Sequence, residues 1–168
     1  MQASAIILAG GKNTRMEKNK ALLQLGEKTL IERIIEKIKP LAERVIIVTN
    51  SPEEYSNMGV EVTTDIIPGR GPLSGIHAGL RASPHRYNLV IACYMPFISC
   101  ELGRRLLKAA PGYDAVVPEI KGMPQPLYAV YSRDCFPTIE RILGEGTNKC
   151  TALYPLIKVI FMGDDEIK

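Results

Sequence analysis

Short apolar segments rich in β-branched residues alternate with amphipathic helical segments, and this alternation constrains the fold more than any other feature. The segments that predict strands are Ser4–Leu8, Val45–Thr49, Val60–Thr64, Leu89–Ala92, Ala115–Pro118 and Leu127–Tyr131. Several are apolar at successive positions, which is typical of strands covered on both faces. The pattern predicts right-handed βαβ units in a three-layer α/β/α, Rossmann-like fold with a mostly parallel sheet.

Serine and threonine residues mark where the helices are expected to begin. Thr29 and Glu32 form a capping-box pattern before apolar residues that recur on one helical face up to Ile38, and Pro40 ends this helix. The other expected helices begin at Ser51, run from Ser74 to Leu80, run from Ser99 to Ala109, and cover Asp134–Leu143.

Length, charge and cysteine pattern exclude several classes of protein. A chain of 168 residues fits one domain, 1–168, and a net charge of +3 is too small to indicate nucleic acid or an anionic membrane as a partner. No apolar run has the length of a membrane span, and MQASAIILAGG reads as a first buried strand rather than a signal peptide. We therefore expect a cytoplasmic protein. Four cysteines without a CxxC pair indicate reduced structural thiols, not zinc.

The loop after the first strand concentrates glycine and positive charge. Gly10 and Gly11 are followed by four cations against one acid, Glu17; the cations are Lys12, Arg15, Lys18 and Lys20. Ligands of parallel sheets bind outside the carboxyl ends of the strands, where glycine backbone amides approach phosphates closely. The loop matches neither GxxxxGK[ST] nor GxGxxG. An anion site is the favoured interpretation, and a solvated basic turn is the alternative.

The pattern LAGG-x-x-x-R-M-x-x-x-K resembles the signature loop of GT-A-like nucleotidyltransferases, above all the molybdenum cofactor guanylyltransferase (MobA) family. The positions that match the GTP-binding residues of that family are Leu8, Ala9, Gly10 and Lys20. Gly11 completes the glycine pair, Arg15 matches the arginine before the family's methionine, and Glu17 replaces the glycine after it. The resemblance implies a GT-A-type fold and a single nucleotidyltransferase domain.

Two later loops extend the resemblance. Asn50 and Asp65 match nucleotide contacts of the family; as a residue of a turn, Asn50 would need no such role. GPLSG resembles the family's GPL-[AS]-G, which lies against the nucleotide and implies contacts from Gly71, Pro72 and Leu73. Gly71 and Gly75 permit close approach, and amides at a helix start favour anions, although a plain loop-to-helix cap would have the same pattern.

LVIACYMPFIS departs from the family at one position. The family pattern is C-D-M-P-F, whose aspartate binds Mg²⁺, and Tyr94 occupies that position here. A phenol with a pKa of about 10 is a poor magnesium ligand. Three explanations stay open: a variant or error in the sequence, another carboxylate such as Asp65 as the ligand, or a protein that binds nucleotide and catalyses weakly.

The region VPEIKGMPQPLYAVY resembles the strand region that faces the acceptor in the family, although an ordinary hairpin would explain it too. Gly122, Gln125, Pro126 and Leu127 align there. The family's N-x-N-T-P-E segment is missing before the final GDDEIK, so the family tail is expected to be short or missing.

The resemblance implies transfer of GMP from GTP to the terminal phosphate of molybdopterin, with Mg²⁺ and release of pyrophosphate. An ionised phosphate needs no histidine base, so Arg15 and Lys20 are the expected catalytic residues, and His77 and His85 are expected on helix surfaces. Molybdoenzyme-maturation proteins are candidate partners. The alternatives are a transferase for CTP or sugar phosphates and a weakly catalytic nucleotide-binding relative.

Overall fold

A computed structural model describes residues 2–9, 24–25, 28–93 and 99–163. The strands are β1 Ala3–Leu8, β2 Gln24–Leu25, β3 Lys28–Thr29, β4 Arg44–Val48, β5 Glu61–Thr63, β6 Tyr87–Ala92, β7 Ala115–Ile120, β8 Met123–Pro124, β9 Tyr128–Ser132 and β10 Val159–Met162. The α-helices are α1 Leu30–Ile38, α2 Pro72–Ala82, α3 Cys100–Ala109 and α4 Phe136–Gly144.

The main sheet is mixed but mostly parallel. Its order is β10-β7-β9-β6-β1-β4-β5, with β8 paired to β7, while β2 and β3 form a separate antiparallel pair. β1 lies between β4 and β6 and is parallel to both, and β10 is parallel to β7. β9 runs antiparallel between β6 and β7. The predicted Rossmann-like α/β class is confirmed, with this one reversed strand inside the sheet.

Two apolar cores lie on opposite faces of the sheet, as period-two side-chain alternation requires. On β1, Ala5 and Ile7 join the core that contains α1 and α3 residues, whereas Ile6 and Leu8 join the core that contains α2 and α4 residues. All six β1 residues are buried. The three-layer α/β/α arrangement therefore follows from strands that are apolar on both faces.

Two of the expected helix starts are confirmed. The Thr29 Oγ1 accepts a hydrogen bond from the Glu32 N–H at 3.3 Å, and the Glu32 carboxylate accepts one from the Thr29 N–H at 2.9 Å. This reciprocal pair is the capping box read from the sequence. The Ser99 Oγ caps α3 by accepting from the Leu102 N–H at 3.0 Å.

Two other helix starts are wrong. Ser51 precedes only a short 3₁₀ turn, Pro52–Tyr55, and its side chain makes no capping bond. α2 begins at Pro72 after Gly71, so Ser74 lies inside its first turn. The Ser74 hydroxyl instead donates to the Ile67 carbonyl oxygen at 2.6 Å, because a serine in a first turn can bond the backbone of the loop before it.

The strand β10 was not predicted, and the last expected helix is shortened. Val159–Met162 is a short apolar run, and periodicity alone does not show whether such a run is a helix or a strand. It is a strand because it pairs with β7. Arg133–Cys135 forms a 3₁₀ turn before α4. No helix among the described residues is long and apolar enough to cross a bilayer.

Candidate functional site

The three central parallel strands end side by side at one edge of the sheet. Leu8, the last residue of β1, is in register with Val48 of β4 and Ala92 of β6. Beyond the strands, the Ala9 N–H donates to the Val48 carbonyl oxygen at 2.9 Å, and the Cys93 N–H donates to the Leu8 carbonyl oxygen at 3.4 Å. These bonds fix the directions in which three successive loops leave the sheet, at the edge where ligands of such folds bind.

The beginning of the predicted nucleotide loop is at this edge. Leu8 and Ala9 are buried at the end of β1. The predicted site residues that follow lie outside the described part of the chain, as does the residue at the family's metal position; they are Gly10, Gly11, Arg15, Lys20 and Tyr94. Their roles stay predictions.

Asn50 stands at the same edge, directly after β4. It is exposed, whereas the preceding Thr49 is buried and its Oγ1 accepts a hydrogen bond from the Ser51 N–H at 3.1 Å. The Thr49 N–H also donates to the Thr63 carbonyl oxygen at 3.0 Å. The two hydrogen bonds of Thr49 thus fix the turn and leave Asn50 exposed to solvent, where a nucleotide could reach its amide group.

Asp65 follows β5 and is half-buried. Partial burial raises the pKa of its carboxyl group, and the nearby charge of His77 opposes that rise. Asp65 forms no hydrogen bond or ion pair within the described residues. A partly dehydrated carboxylate without a hydrogen-bond partner in the described part of the chain is suited to accept hydrogen bonds from a ligand, at a cost to stability.

The loop from Asp65 to α2 is shaped by two glycines and one serine. Gly69 and Gly71 have φ of 83° and 65°, in the left-handed region that residues with a Cβ disfavour. Pro72 then starts α2, and no side chain caps its first turn. Pro72 has no N–H and the Ser74 N–H donates to the Gly71 carbonyl oxygen at 3.1 Å, so of these first-turn amides only that of Leu73 lacks an acceptor among the described residues. An amide at a helix start favours a negatively charged or electron-rich group.

Gly75 has a packing function that the sequence interpretation assigned differently. A Cβ at Gly75 would lie 2.8 Å from Leu8 Cδ2, and one at Gly79 would lie 2.4 Å from Ile6 Cγ2. The close approach is therefore between α2 and β1, not between Gly75 and a nucleotide. Its consequence for the site is indirect, because it brings the start of α2 against the end of β1.

Both histidines were assigned to helix surfaces, and both assignments are wrong. His77 lies on α2 but is completely buried, stacked on Phe136 with ring centroids 4.5 Å apart and with Nε2 3.3 Å from the Glu140 carboxylate. His85 precedes β6 outside any helix, and its Nδ1 lies 2.7 Å from Ser4 Oγ. The helical wheel of α2 was misjudged because this helix is buried on several sides, with eight consecutive residues from Leu73 to Leu80 buried.

The predicted acceptor region forms the hairpin of β7 and β8, and it reaches the same edge. The Ala92 N–H, at the end of β6, donates to the Leu127 carbonyl oxygen at 2.9 Å. Gly122 turns the hairpin with φ of 76°, and the Gln125 N–H donates to the Pro118 carbonyl oxygen at 2.8 Å. The antiparallel β9 thus starts at the nucleotide edge and runs through the sheet to the opposite edge.

Three thiols are structural. Cys93, Cys135 and Cys150 are buried and free, and burial raises the pKa of each to about 12. Such thiols are protonated near neutrality and are poor nucleophiles. The expectation of reduced structural cysteines is confirmed for these three.

An open cleft of about 820 Å³ lies at the opposite edge, near the amino end of β6. Its lining includes Arg81, Arg86 and Arg133, and the Arg86 guanidinium is paired with the Asp134 carboxylate at 3.1 Å. We do not assign the nucleotide to this cleft, because neither the glycine-bearing loops nor the carboxyl ends of the parallel strands open into it.

The described residues do not by themselves fit a magnesium ion. No group of three or more histidine, cysteine or acidic residues gathers in the described ranges in a way that could hold a metal. Asp65 offers one carboxylate, whereas Mg²⁺ in nucleotide enzymes is held by one or two carboxylates together with substrate phosphates. No catalytic step is therefore assigned to a protein-held metal.

Arg70 is a residue of the same loop that the sequence interpretation did not single out. It lies between Gly69 and Gly71 in the loop before α2, and its Nε is buried without a hydrogen-bond acceptor among the described residues. The available signal was a cation directly before GPLSG, in a loop already assigned to the nucleotide.

Comparisons with known proteins agree with this geometry. The MobA-like NTP transferase domain matches residues 5–155. A probable molybdenum cofactor guanylyltransferase of Pelotomaculum thermopropionicum is 40% identical over 168 residues, all of this chain and 82% of that protein. One from Clostridium perfringens strain 13 is 42% identical over 162 residues, 96% of this chain and 78% of that protein.

Among solved structures, molybdopterin-guanine dinucleotide biosynthesis protein A from Archaeoglobus fulgidus superposes with a TM-score of 0.80 at 27% identity. The superposition covers 96% of this chain and 84% of that one. Sequence and fold similarity thus extend over the strands and loops that form the carboxyl edge.

Proposed function

We propose, from the premise that this chain belongs to the MobA-like NTP transferase family, that it transfers GMP from GTP to molybdopterin and releases pyrophosphate. The chain is a nucleotidyltransferase. The observation that carries the proposal is 40% identity, over the full length of the chain, to a relative named as a probable molybdenum cofactor guanylyltransferase. We propose a cytoplasmic reaction, with molybdoenzyme-maturation proteins as partners.

The bond changes are simple and need no protein base. An oxygen of the terminal phosphate of molybdopterin attacks the α-phosphorus of GTP, and the bond from that phosphorus to the oxygen bridging to the β-phosphate breaks. The attacking oxygen is already ionised near neutrality, so no proton must be removed. The barrier comes from bringing two polyanions together and from the charge that develops on the α-phosphoryl group and on pyrophosphate.

The proposed roles of the site residues follow the order of the loops along the chain. Leu8, Ala9, Gly10 and Gly11, at and after the end of β1, line the nucleotide, and the two glycines let their backbone amides approach its phosphates. Arg15 and Lys20 neutralise the triphosphate, Arg15 as a fork on two oxygens and Lys20 as a compact charge. The remaining nucleotide contacts are Asn50, Asp65, Gly71, Pro72 and Leu73. Mg²⁺, if it binds with GTP, would supply further positive charge to the substrate.

The hairpin of β7 and β8 is the proposed acceptor side. The segment between this hairpin and β9 lies at the carboxyl edge, since the Leu127 carbonyl oxygen accepts a hydrogen bond from Ala92 at the end of β6. A nucleotide over β1 and β4 and an acceptor beside β6 would bring the two reacting phosphates together above β1. Positioning of this kind accounts for much of the rate enhancement when no bond-breaking group of the protein takes part.

The test measures the rate of pyrophosphate release from GTP in the presence of Mg²⁺ and molybdopterin. The same rate is measured without molybdopterin, and with CTP or ATP in place of GTP. We expect release that depends on molybdopterin and is fastest with GTP. Lys20→Ala should lower kcat/KM by about 100-fold, the scale of losing one charge that stabilises the transition state. The matched control is Lys108→Ala on α3, an exposed lysine far from the edge, which should retain parent activity. No release with any nucleotide would overturn the proposal.

A further inference from the structure

The open cleft at the edge opposite the nucleotide loops has a positively charged lining that the proposed reaction does not use. It has a volume of about 820 Å³ and lies where α2 ends and α4 begins. Its charged lining residues are three arginines and one aspartate: Arg81, Arg86, Arg133 and Asp134. All four are exposed. An arginine is always protonated in a protein, so this surface stays positive at any pH at which the fold exists.

Two of these arginines have no partner within the described ranges. The Arg86 guanidinium pairs with the Asp134 carboxylate at 3.1 Å and lies over the Tyr87 ring, 5.5 Å from its centroid. The side chains of Arg81 and Arg133 take part in no hydrogen bond, ion pair or cation–π contact among the described residues. The lining therefore has two guanidinium groups that can bind anions from outside the chain.

Two acidic residues that lie near this edge do not complete the cleft. The Glu43 carboxylate is 3.5 Å from His85 Nε2, and the Glu140 carboxylate is 3.3 Å from His77 Nε2. Neither glutamate belongs to the lining of the cleft. The carboxylates nearest to the unpaired arginines are thus next to histidines or, in the case of Asp134, next to Arg86.

The backbone that carries the arginines is fixed. The Arg133 N–H donates to the Arg86 carbonyl oxygen at 2.6 Å, and the same oxygen accepts a hydrogen bond from Asn88 Nδ2 at 3.2 Å. Asn88 is completely buried, and Arg81 belongs to the last turn of α2. A rigid support limits the entropy that is lost when a guanidinium group binds a ligand.

The cleft also has an apolar part, formed by Pro84, Phe136 and Pro137. Phe136 is half-buried, and its ring stacks on the buried His77 ring with centroids 4.5 Å and planes 9° apart. The stacked ring and the two proline rings have little freedom to move, so an apolar side chain can pack on them at a small entropic cost.

Size and composition favour a protein segment as the ligand. Small-molecule sites enclose most of their ligand and have mostly apolar linings, whereas this cleft is open and four of its seven lining residues are charged. Protein interfaces are enriched in arginine and aromatic residues and depleted in lysine, and every cation of this lining is an arginine. Nucleic acid fits less well, because it carries a charge at every unit and the Asp134 carboxylate lies among the arginines.

We propose that this cleft is a docking site for an acidic segment of a partner protein, in which carboxylates flank an aromatic side chain. The carboxylates bind the guanidinium groups of Arg81 and Arg133 in fork geometry, and the aromatic ring packs on Phe136. The proposal does not rest on the proposed function. Because the cleft lies at the edge opposite the nucleotide loops, such a partner can be bound while a nucleotide is bound.

NMR titration of the isotope-labelled full chain with short synthetic peptides tests the proposal without nucleotide or molybdopterin. The probe is the peptide EEFEE, acetylated and amidated to remove its terminal charges. We expect a Kd of about 1 mM or lower at low salt, with chemical-shift changes at the residues that line the cleft. QQFQQ, which has no carboxylates, should bind at least about 10-fold more weakly, and EEAEE, which has no aromatic ring, about 3-fold more weakly.

Substitutions in the cleft should change the affinity for EEFEE in both directions. Arg81→Glu and Arg133→Glu should each weaken it by about 5- to 10-fold, whereas Asp134→Asn should strengthen it by about 2- to 5-fold because it frees Arg86. Arg104→Glu is the matched control: it makes the same change of charge at an exposed arginine on α3, which packs on the other face of the sheet. It should alter the affinity by no more than about 2-fold, and all four variants should bind GTP as the parent does.

The peptide comparisons use the unaltered protein, so they remain decisive if a variant fails to fold. Equal binding of EEFEE and QQFQQ, shift changes outside the cleft, or equal weakening by Arg104→Glu and Arg81→Glu would overturn the proposal. Displacement of EEFEE by inorganic phosphate at a lower concentration than the peptide's would assign the cleft to a small anion and overturn it. Tighter binding of an oligothymidylate than of EEFEE would assign the cleft to nucleic acid and overturn it as well. Binding of EEFEE by a chain that releases no pyrophosphate would contradict the proposed function alone.

Discussion

Tyr94 occupies the position at which the family's C-D-M-P-F pattern has an aspartate. In the sequence it follows Cys93, the first residue after β6, and precedes a proline by two residues. The neighbouring residues match the pattern, so the difference concerns one functional group: a neutral phenol replaces a carboxylate. A hard cation such as Mg²⁺ binds anionic oxygen more strongly than a neutral phenol. The described residues do not assemble a substitute set of ligands.

Tyr94→Asp should increase pyrophosphate release at least about 10-fold at saturating Mg²⁺, because a carboxylate at this position would help to hold positive charge at the phosphates. The measurement is the initial rate of release from GTP and molybdopterin as the Mg²⁺ concentration is varied. Tyr94→Phe is the matched control, since it removes only the hydroxyl group, and it should equal the parent. If the aspartate variant follows the parent at every Mg²⁺ concentration, the position has no metal role in this protein.

At the scale of elements, the sequence predicted best where a local contact decides the structure. The capping box of Thr29 and Glu32 joins residues three apart, and it forms as expected. The start of α2 was misplaced because it depends on the left-handed Gly71 and on a bond from Ser74 back to Ile67, which are set by the loop's path across the sheet. The strand β10 depends on pairing with β7, more than 40 residues earlier, and no local signal reports it.

The packing of α2 on β1 gives a prediction at this scale. Gly79→Ala would place a Cβ 2.4 Å from Cγ2 of Ile6, a buried β-branched side chain on a central strand that has little freedom to move. We expect a loss of about 1–3 kcal/mol in the free energy of unfolding, measured by chemical denaturation.

Gly144→Ala is the control for that substitution, because it adds the same methyl group to another helix. A Cβ at Gly144 meets nothing within 4 Å, and its φ is not left-handed. Alanine in this helical position should leave stability unchanged or raise it by up to about 1 kcal/mol. Equal effects of the two substitutions would show that α2 and β1 are not packed as closely as these distances require.

At the scale of the whole molecule, the fold class was predictable because strand–helix alternation and two-sided apolar strands leave few architectures open. The rule for parallel sheets also places Leu8, Asn50 and Asp65 at one edge, and the structure has them there, whereas their contacts with a nucleotide stay predictions. Arg70 was not singled out because the burial of its Nε is a tertiary property. The buried His77 was missed for the same reason, since the packing of α2 against α4 surrounds it.

Asp65 lowers the free energy of unfolding of the whole molecule at neutral pH, and the proposed role of Asp65 in binding explains why a carboxylate lies there. Burial raises the pKa of this carboxyl group above its value in the unfolded chain, near 4. When folding raises the pKa of a group, that group contributes most to the free energy of unfolding at a pH below its pKa in the unfolded chain. This contribution is lost as the pH rises through its pKa in the folded protein. At neutral pH the charged Asp65 therefore lowers the stability of the whole fold, although its remaining exposure to water limits the effect.

Asp65→Asn should accordingly raise the Tm at pH 7–8 by about 1–3 °C while weakening GTP binding by about 10-fold, because an amide no longer offers a charged acceptor. The gain in Tm should shrink as the pH falls and vanish below about pH 3, where the parent's carboxyl group is protonated in both states. Thermal unfolding from about pH 3 to pH 8, with calorimetric titration of GTP at about pH 7.5, measures both effects. Asp134→Asn, at an exposed ion pair on the opposite edge, should change the Tm by no more than about 1 °C and leave GTP binding intact. A lower Tm for Asp65→Asn at pH 8 would mean that the charged carboxylate stabilises the fold. The idea that Asp65 lowers stability while contributing to GTP binding would then be wrong.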